Sequence, residues 1–432
     1  MRAWERLVRK WLRVSLVLCA LPTLASAQTP DAVVQTIKSS QAFQAASAFL
    51  ETDYERFVRE LVMLTEIPAP PFKETARGTA YLRLLQDAGL SDVERDAEGN
   101  VMGLWRGSGV RGGPLLAVLS HLDTVFPEGT DVKVKRSGTR LSAPGIGDDT
   151  RALAMMLTAI RAMRTGGLRT ADDILFVGNV GEEGEGDLRG VKYLLTKGKY
   201  KDRIRQFIAI DGGDQGSMSN GALGSRRYRV TFKGPGGHSY GAFGLVSPSL
   251  AMGNAIQRFS RLQVPTKPKT TFNVGVVGGG TSVNSIPIDM FMDVDMRSES
   301  PAELRKIDAA FKQLVAEAVD DENRTRSTAQ GRLTAEVTLI GDRPSGTTAP
   351  DTMLMQKVTS VVTSYGLTPS YDTSSTDSNI PISLGIPAVT IGRGGPGGRG
   401  HSLDEWTDVD KRGSVRAAQV ALTVFVVAAG VP

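Results

Sequence analysis

Two apolar rhythms alternate along this 432-residue chain. Short continuous apolar runs at 115–119, 174–180, 207–210 and 388–391 have the length of buried strands. Between them lie segments with apolar positions at helical spacing, 151–163 most clearly. That alternation predicts a mostly parallel sheet with helices on its faces. Upstream, 31–66 reads as helix until Pro68 and the Pro70-Pro71 pair break the pattern, and 75–88 as a helix ending at Gly89. The rhythm changes near Gly224. Positions 227–233 alternate as a half-exposed strand does, 248–262 and 302–318 read as helices, and 272–277, 290–297 and 335–340 as strands. The α/β pattern then returns, and a helix over 410–429 ends the chain. The expected fold is α/β: a mostly parallel-sheet catalytic domain in two parts, 28–223 and 344–432, with an α+β domain, 224–343, inserted between them.

Composition refines this only at the start of the chain. With 41% hydrophobic and 22% charged residues the chain falls among ordinary soluble globular proteins, and its length favours two domains. Residues 1–27 differ: Arg2, Arg6, Arg9, Lys10 and Arg13 precede an apolar run from Val14 to about Leu24, and Ala25-Ser26-Ala27 follows. This is the layout of a secretory signal cleaved after Ala27, and the run is shorter than the ~20 residues that span a membrane. Removing five basic residues and one acid, Glu5, takes the formal charge from +5 to +1, so no nucleic-acid footprint remains. The only cysteine, Cys19, lies in the same segment, which leaves the mature chain without a disulfide, a thiol nucleophile or a cysteine metal site. A periplasmic or secreted protein without a permanent membrane anchor is expected.

Candidate chemistry collects where strands end. His121 and Asp123 follow the first run, Glu182 and Glu183 the second, and Asp211 the third; His401 lies beyond the fourth, across a glycine-rich loop. In an open α/β sheet these carboxyl ends face one crevice. Asp148 stands just before the 151–163 helix. Each has a structural alternative: a hydrogen-bonded histidine, a helix cap at Asp148, Asp149 or Thr150, a turn at Asp211, and a solvated acidic loop that accounts for Glu185 and Asp187. Their joint placement favours a pair of zinc-like ions sharing a carboxylate, with Asp123 holding the His121 ring.

The segments "SHLDTVFP", "GIGDDT", "NVGEEGEGDLRG", "IAIDGGD" and "GPGGRGHSLDEW" resemble, in order, the motif series of the co-catalytic zinc peptidases. That family includes glutamate carboxypeptidase, peptidase T, acetylornithine deacetylase and succinyl-diaminopimelate desuccinylase. The resemblance, from about Glu55 to the C-terminus, implies that the inserted domain is a lid of the dimerisation type. It implies two Zn2+, with Co2+ or Mn2+ as alternatives: His121, Asp148 and Asp211 on one ion, Asp148, Glu183 and His401 on the other, Asp148 bridging. It further implies Glu182 as general base, and His238 in "GPGGHSYG" as a lid residue that helps hold the substrate carbonyl. Asn284 in "NSIP" and Arg297 in "VDMR" match lid positions that contact the substrate, and Arg343 in "GDRPSG" resembles an arginine that binds the substrate carboxylate. One departure stands out: Asp149-Thr150-Arg151 follows the bridging aspartate where many members have Asp-Lys-Gly or Met-Lys-Gly.

These features lead to an exported two-metal exopeptidase acting on small peptides, with an N-acyl-amino-acid deacylase as the runner-up; the residues leave the oligomeric state open, and the resemblance brings in a homodimer through the lid as one arrangement. A binding module that has lost catalysis conflicts with the complete ligand set and the Glu182-Glu183 pair. A serine hydrolase lacks its Gly-x-Ser-x-Gly elbow. The glycine runs at 278–280 and 394–400 form no strand-turn-helix fingerprint for a nucleotide.

Overall fold

The computed structural model describes residues 29–432, so the expected signal segment, Cys19 included, lies outside the described residues. The N-terminal helical pattern resolves into two helices, Pro30–Ser39 and Gln41–Thr65. Ser40 separates them in an extended conformation, and its hydroxyl caps the second by accepting from Phe43 N at 3.2 Å.

The central sheet runs, from one edge, Ser91–Arg95, Val101–Trp105, Asp173–Asn179, Leu115–His121, Ile204–Ile210, Ala388–Ile391, Ser217–Ala222 and Gly346–Thr347, with Ser370–Ser374 also beside Ser217–Ala222. The four strands from Asp173–Asn179 to Ala388–Ile391 are mutually parallel. Burial on both faces explains the continuous apolar runs. In Leu115–His121, Leu116 and Val118 enter the core under Gln41–Thr65, Arg151–Gly166 and Lys411–Ala429. Leu115, Ala117 and Leu119 point the other way, into a second core with Val191 and Leu194 of the Arg189–Thr196 helix. Among the described residues, Lys411–Ala429 is the one helix long and apolar enough to cross a membrane, and it is packed, mostly buried, into the core.

Residues 224–343 form a separate antiparallel sheet in the order Thr270–Gly279, Asp289–Ser298, Gly224–Lys233, Thr334–Arg343. Helices Pro248–Phe259 and Pro301–Thr325 cover one face, where Tyr228, Val230, Phe232, Met292, Val294 and Met296 meet Phe259 and Phe311. The opposite face carries cross-strand ion pairs, Arg227 with Asp295 at 3.0 Å and Arg229 with Asp293 at 2.7 Å. The alternation at 227–233 is this division between a packed and a charged face.

Candidate active site

The parallel strands deliver their polar ends to a crevice of about 520 Å3 lined by Asp148, Glu182, Glu183, Asp211 and His401, with Arg227, Arg297 and Arg343. His121 is the last residue of its strand and is buried; its Nε2 lies 3.1 Å from Asp148 Oδ1. Asp148 Oδ2 lies 3.1 Å from His401 Nε2, and that nitrogen is 2.9 Å from Glu183 Oε1. Asp148 thus stands between the two histidines with one oxygen toward each. His121, Asp148 and Asp211 belong to one group of donors within 4.8 Å of one another, and Asp148, Glu183 and His401 to another. None of Asp148, Asp149 and Thr150 caps the following helix through its side chain. Thr150 Oγ1 donates to Gly145 O, and Asp149 Oδ2 accepts from Ser120 Oγ at 2.6 Å and His121 N at 3.3 Å.

Electrostatics favours cations here. The Asp148 and Glu183 carboxylates raise His401 to about 10. Burial alone would lower His121, but the carboxylates of Asp148, Asp149 and Asp123 outweigh it and hold the ring well above its ordinary value. Burial, with the nearby charge of Asp148, lifts Asp211 to about 6. Burial would also raise Asp148, yet the two histidines keep it well below the usual carboxylate range. So many acids in one buried crevice are costly unless positive charge joins them. Two imidazoles and three carboxylates, one shared, form the nitrogen and oxygen donor set that zinc-like ions take, so the residues fit a pair of divalent cations.

Several expected roles change in detail. The His121 ring is held by the backbone carbonyl of Asp123, 3.0 Å from Nδ1, with the Asp123 carboxylate 3.7 Å away. That carboxylate accepts instead from Glu182 N at 3.0 Å and Glu183 N at 2.8 Å, and so orients the glutamate pair. Glu182 is buried; burial drives its pKa well up, with Arg343 opposing and Glu183 reinforcing. Arg343 spends its guanidinium on Glu182, Nη1 donating to Oε1 at 3.0 Å and Nη2 to the backbone oxygen, and on Ser375 Oγ at 3.0 Å. Asp187, expected to be solvated, accepts from Asp342 N at 3.0 Å and pairs with Lys192, which ties the loop after Glu183 to the inserted sheet.

His238 and Asn284 do not reach the crevice of their own chain. They are exposed and adjacent to each other, since Gly237–His238 pairs with Ser285–Ile286 and Ser239 N donates to Asn284 O at 2.9 Å. The reason is strand length. Gly224–Lys233 starts beside the central sheet and carries the chain about 30 Å away at ~3.3 Å per residue before the His238 turn begins. Arg227, near its start, lines the crevice, as does Arg297, whose Nε pairs with Asp295 at 2.7 Å.

The motif series did not single out Arg393 and Asp377. Arg393 Nη1 lies 3.9 Å from Asp211 Oδ1. Asp377 is buried, accepts from Asn179 Nδ2 at 2.8 Å, and is lifted to about 7 chiefly by burial. It sits inside "SSTDSN", where its short polar neighbours resemble an ordinary turn. The departure at Arg151 has a structural use: its buried guanidinium donates to Thr407 Oγ1 at 2.8 Å and Asp408 O at 2.6 Å, joining the loop of Asp148 to the C-terminal segment.

The fold is shared with solved peptidases. Aminopeptidase PepT from Bacillus cereus superposes with a TM-score of 0.69 at 21% identity, covering 87% of this chain and 99% of that one. The YXEP protein of Bacillus subtilis, described as a dinuclear metal-binding peptidase of the M20 family, superposes with a TM-score of 0.63 at 16% identity, covering 88% and 98%. In sequence, carboxypeptidase G2 of Pseudomonas sp. (strain RS-16) is 29% identical over 223 residues, half of this chain and half of that relative's length. The profile of peptidase family M20/M25/M40 matches residues 117–424, from the strand that ends in His121 to the last helix, and the chain belongs to that family.

Proposed function

We propose that the chain is an exported exopeptidase that releases a terminal residue from small peptides with two zinc ions in the crevice. The observation that carries this is Asp148, with one carboxylate oxygen toward His121 and the other toward His401, beside a buried Glu182. His121, Asp148 and Asp211 would hold one ion, and Asp148, Glu183 and His401 the other. Bound divalent ions supply Lewis acidity toward the scissile carbonyl and a more acidic water.

The chain's own residues do the rest. Glu182 takes the proton of the attacking water on its carboxylate and passes it to the leaving nitrogen as the C–N bond breaks. Asp123 orients Glu182 through its backbone N–H, and Arg343 holds the Glu182 carboxylate from the other side. Arg297, which lines the crevice, would receive the substrate carboxylate. His238 and Asn284 would serve the crevice of a second copy of the chain. Their exposure, and the exposed Val276 and Val277 of Thr270–Gly279 at the edge of the inserted sheet, support pairing of two such sheets.

The test is a panel of dipeptides, tripeptides and N-acyl amino acids incubated with zinc-loaded protein and read by mass spectrometry. Release of a terminal amino acid from the peptides is expected. Turnover of N-acyl amino acids alone would replace the peptidase reading with a deacylase, and no turnover of any substrate would overturn both.

A further inference from the structure

The loop 145–150 carries Asp148 between a strand and a helix, so its backbone N–H groups need partners from elsewhere. Glu405 supplies three of them across more than 250 residues of chain. Its Oε2 accepts from Gly145 N at 3.0 Å; its Oε1 accepts from Gly147 N at 2.8 Å and Asp148 N at 2.7 Å. The side chain is 1% exposed. Gly147 is bare where Glu405 passes, because a Cβ there would stand 2.8 Å from Oε1.

A neutral acceptor would satisfy such a loop at lower desolvation cost than a buried carboxylate. The carboxylate is understandable if its charge is used: it adds negative potential beside the backbone that carries Asp148. Glu405 also shares its short segment with His401, whose Nε2 reaches the outer oxygen of Asp148. One segment therefore brings a histidine to the Asp148 carboxylate and a carboxylate to its backbone N–H.

We propose that Glu405 is the positioning residue of the bridging carboxylate: by clamping Gly145, Gly147 and Asp148 it aims both Asp148 oxygens at the histidines and sets the affinity of the two-ion site. The proposal rests on the two-metal reading above.

Its test is zinc binding to metal-stripped protein, followed by competition with a chromophoric chelator alongside the melting temperature of the stripped protein. Glu405→Gln keeps the shape but turns one accepting oxygen into an amide N–H2. It should weaken zinc binding ~10–100-fold, the range for groups that orient metal ligands from behind. Gly147→Ala, which leaves Glu405 intact and pushes on its carboxylate, should shift affinity in the same direction. Val358→Ala, buried in the Met353–Ser364 helix, is the control; it should lower the melting temperature and leave zinc affinity unchanged. Wild-type affinity in both Glu405→Gln and Gly147→Ala would overturn the proposal while leaving the two-metal reading intact. An equal loss of affinity in Val358→Ala would overturn it as a general stability effect. Failure of the unaltered protein to bind zinc would overturn the two-metal reading itself, and this proposal with it.

Discussion

Every residue of Leu115–His121 and Asp173–Asn179 in the central sheet is buried, whereas Thr270–Gly279 in the inserted sheet leaves Val276 and Val277 about half exposed. The same contrast holds for the chemistry. His121, Glu182 and Glu183 are buried at strand ends, each fixed by hydrogen bonds to neighbouring strands or loops, while His238 and Asn284 are exposed at a two-residue pairing of Gly237–His238 with Ser285–Ile286. Buried polar groups in a closed core have one low-energy arrangement, because an unmet hydrogen bond there costs ~1–3 kcal/mol. Residues on an exposed short pairing carry no such constraint. The central sheet thus carries a buried, hydrogen-bonded site, and the inserted sheet carries exposed residues that would reach a crevice only under the proposed pairing of two chains.

The largest expected effect tests the buried site. Glu182→Gln should retain both ions and lower kcat by ~10²–10⁴-fold, the usual worth of general-base catalysis. Metal content by elemental analysis, measured with turnover, separates loss of the base from loss of the site. Near-normal turnover would remove Glu182 from that role and weaken the contrast between the two sheets.

The next effect tests the exposed residues. His238→Ala should lower kcat ~10²–10³-fold if the ring donates to the developing oxyanion, with metal content and melting temperature unchanged. Mixing inactive His238→Ala with inactive Glu182→Gln should restore partial turnover, because one crevice in the mixed pair then keeps both residues. Verified mixed pairs without any rescue would confine His238 to its own chain, contrary to the distance between its segment and the crevice.

The smallest effect is on stability, and it sharpens what burial does in the central sheet. Asp377 is raised from 3.8 to about 7 chiefly by burial, so its neutral form is favoured in the folded chain. It therefore contributes stability that is complete below about pH 4 and lost as pH rises through about 7. Asp377→Asn removes that loss. Urea unfolding of metal-stripped protein should show the variant and the unaltered chain alike near pH 4 and the variant more stable near pH 8, by a few kcal/mol at most. A less stable variant at pH 8 would mean that the Asp377 charge has a favourable partner.

Much of the molecule is legible in the sequence. The runs at 115–119, 174–180, 207–210 and 388–391 became parallel strands because burial on both faces demands continuous apolar residues, and that demand is written locally. The alternation at 227–233 likewise marks a sheet covered on one side only. His121, Glu183 and Asp211 could be marked because polar groups just past the ends of apolar strands are conspicuous, and Asp148 and His401 because their segments match the motif series. Strands 91–95, 217–222 and 370–374 were harder to see, since each is short and polar and lies at or near a sheet edge. Tertiary structure alone decided that the Asp123 carboxylate serves Glu182 and Glu183, that Asp187 grips Asp342, that Glu405 holds Gly145, Gly147 and Asp148, and that His238 stands away from its own crevice. Periodicity is a property of neighbouring residues and can be read in order. The partner of a buried polar group is whichever distant segment packs against it, and only the folded chain determines which segment that is.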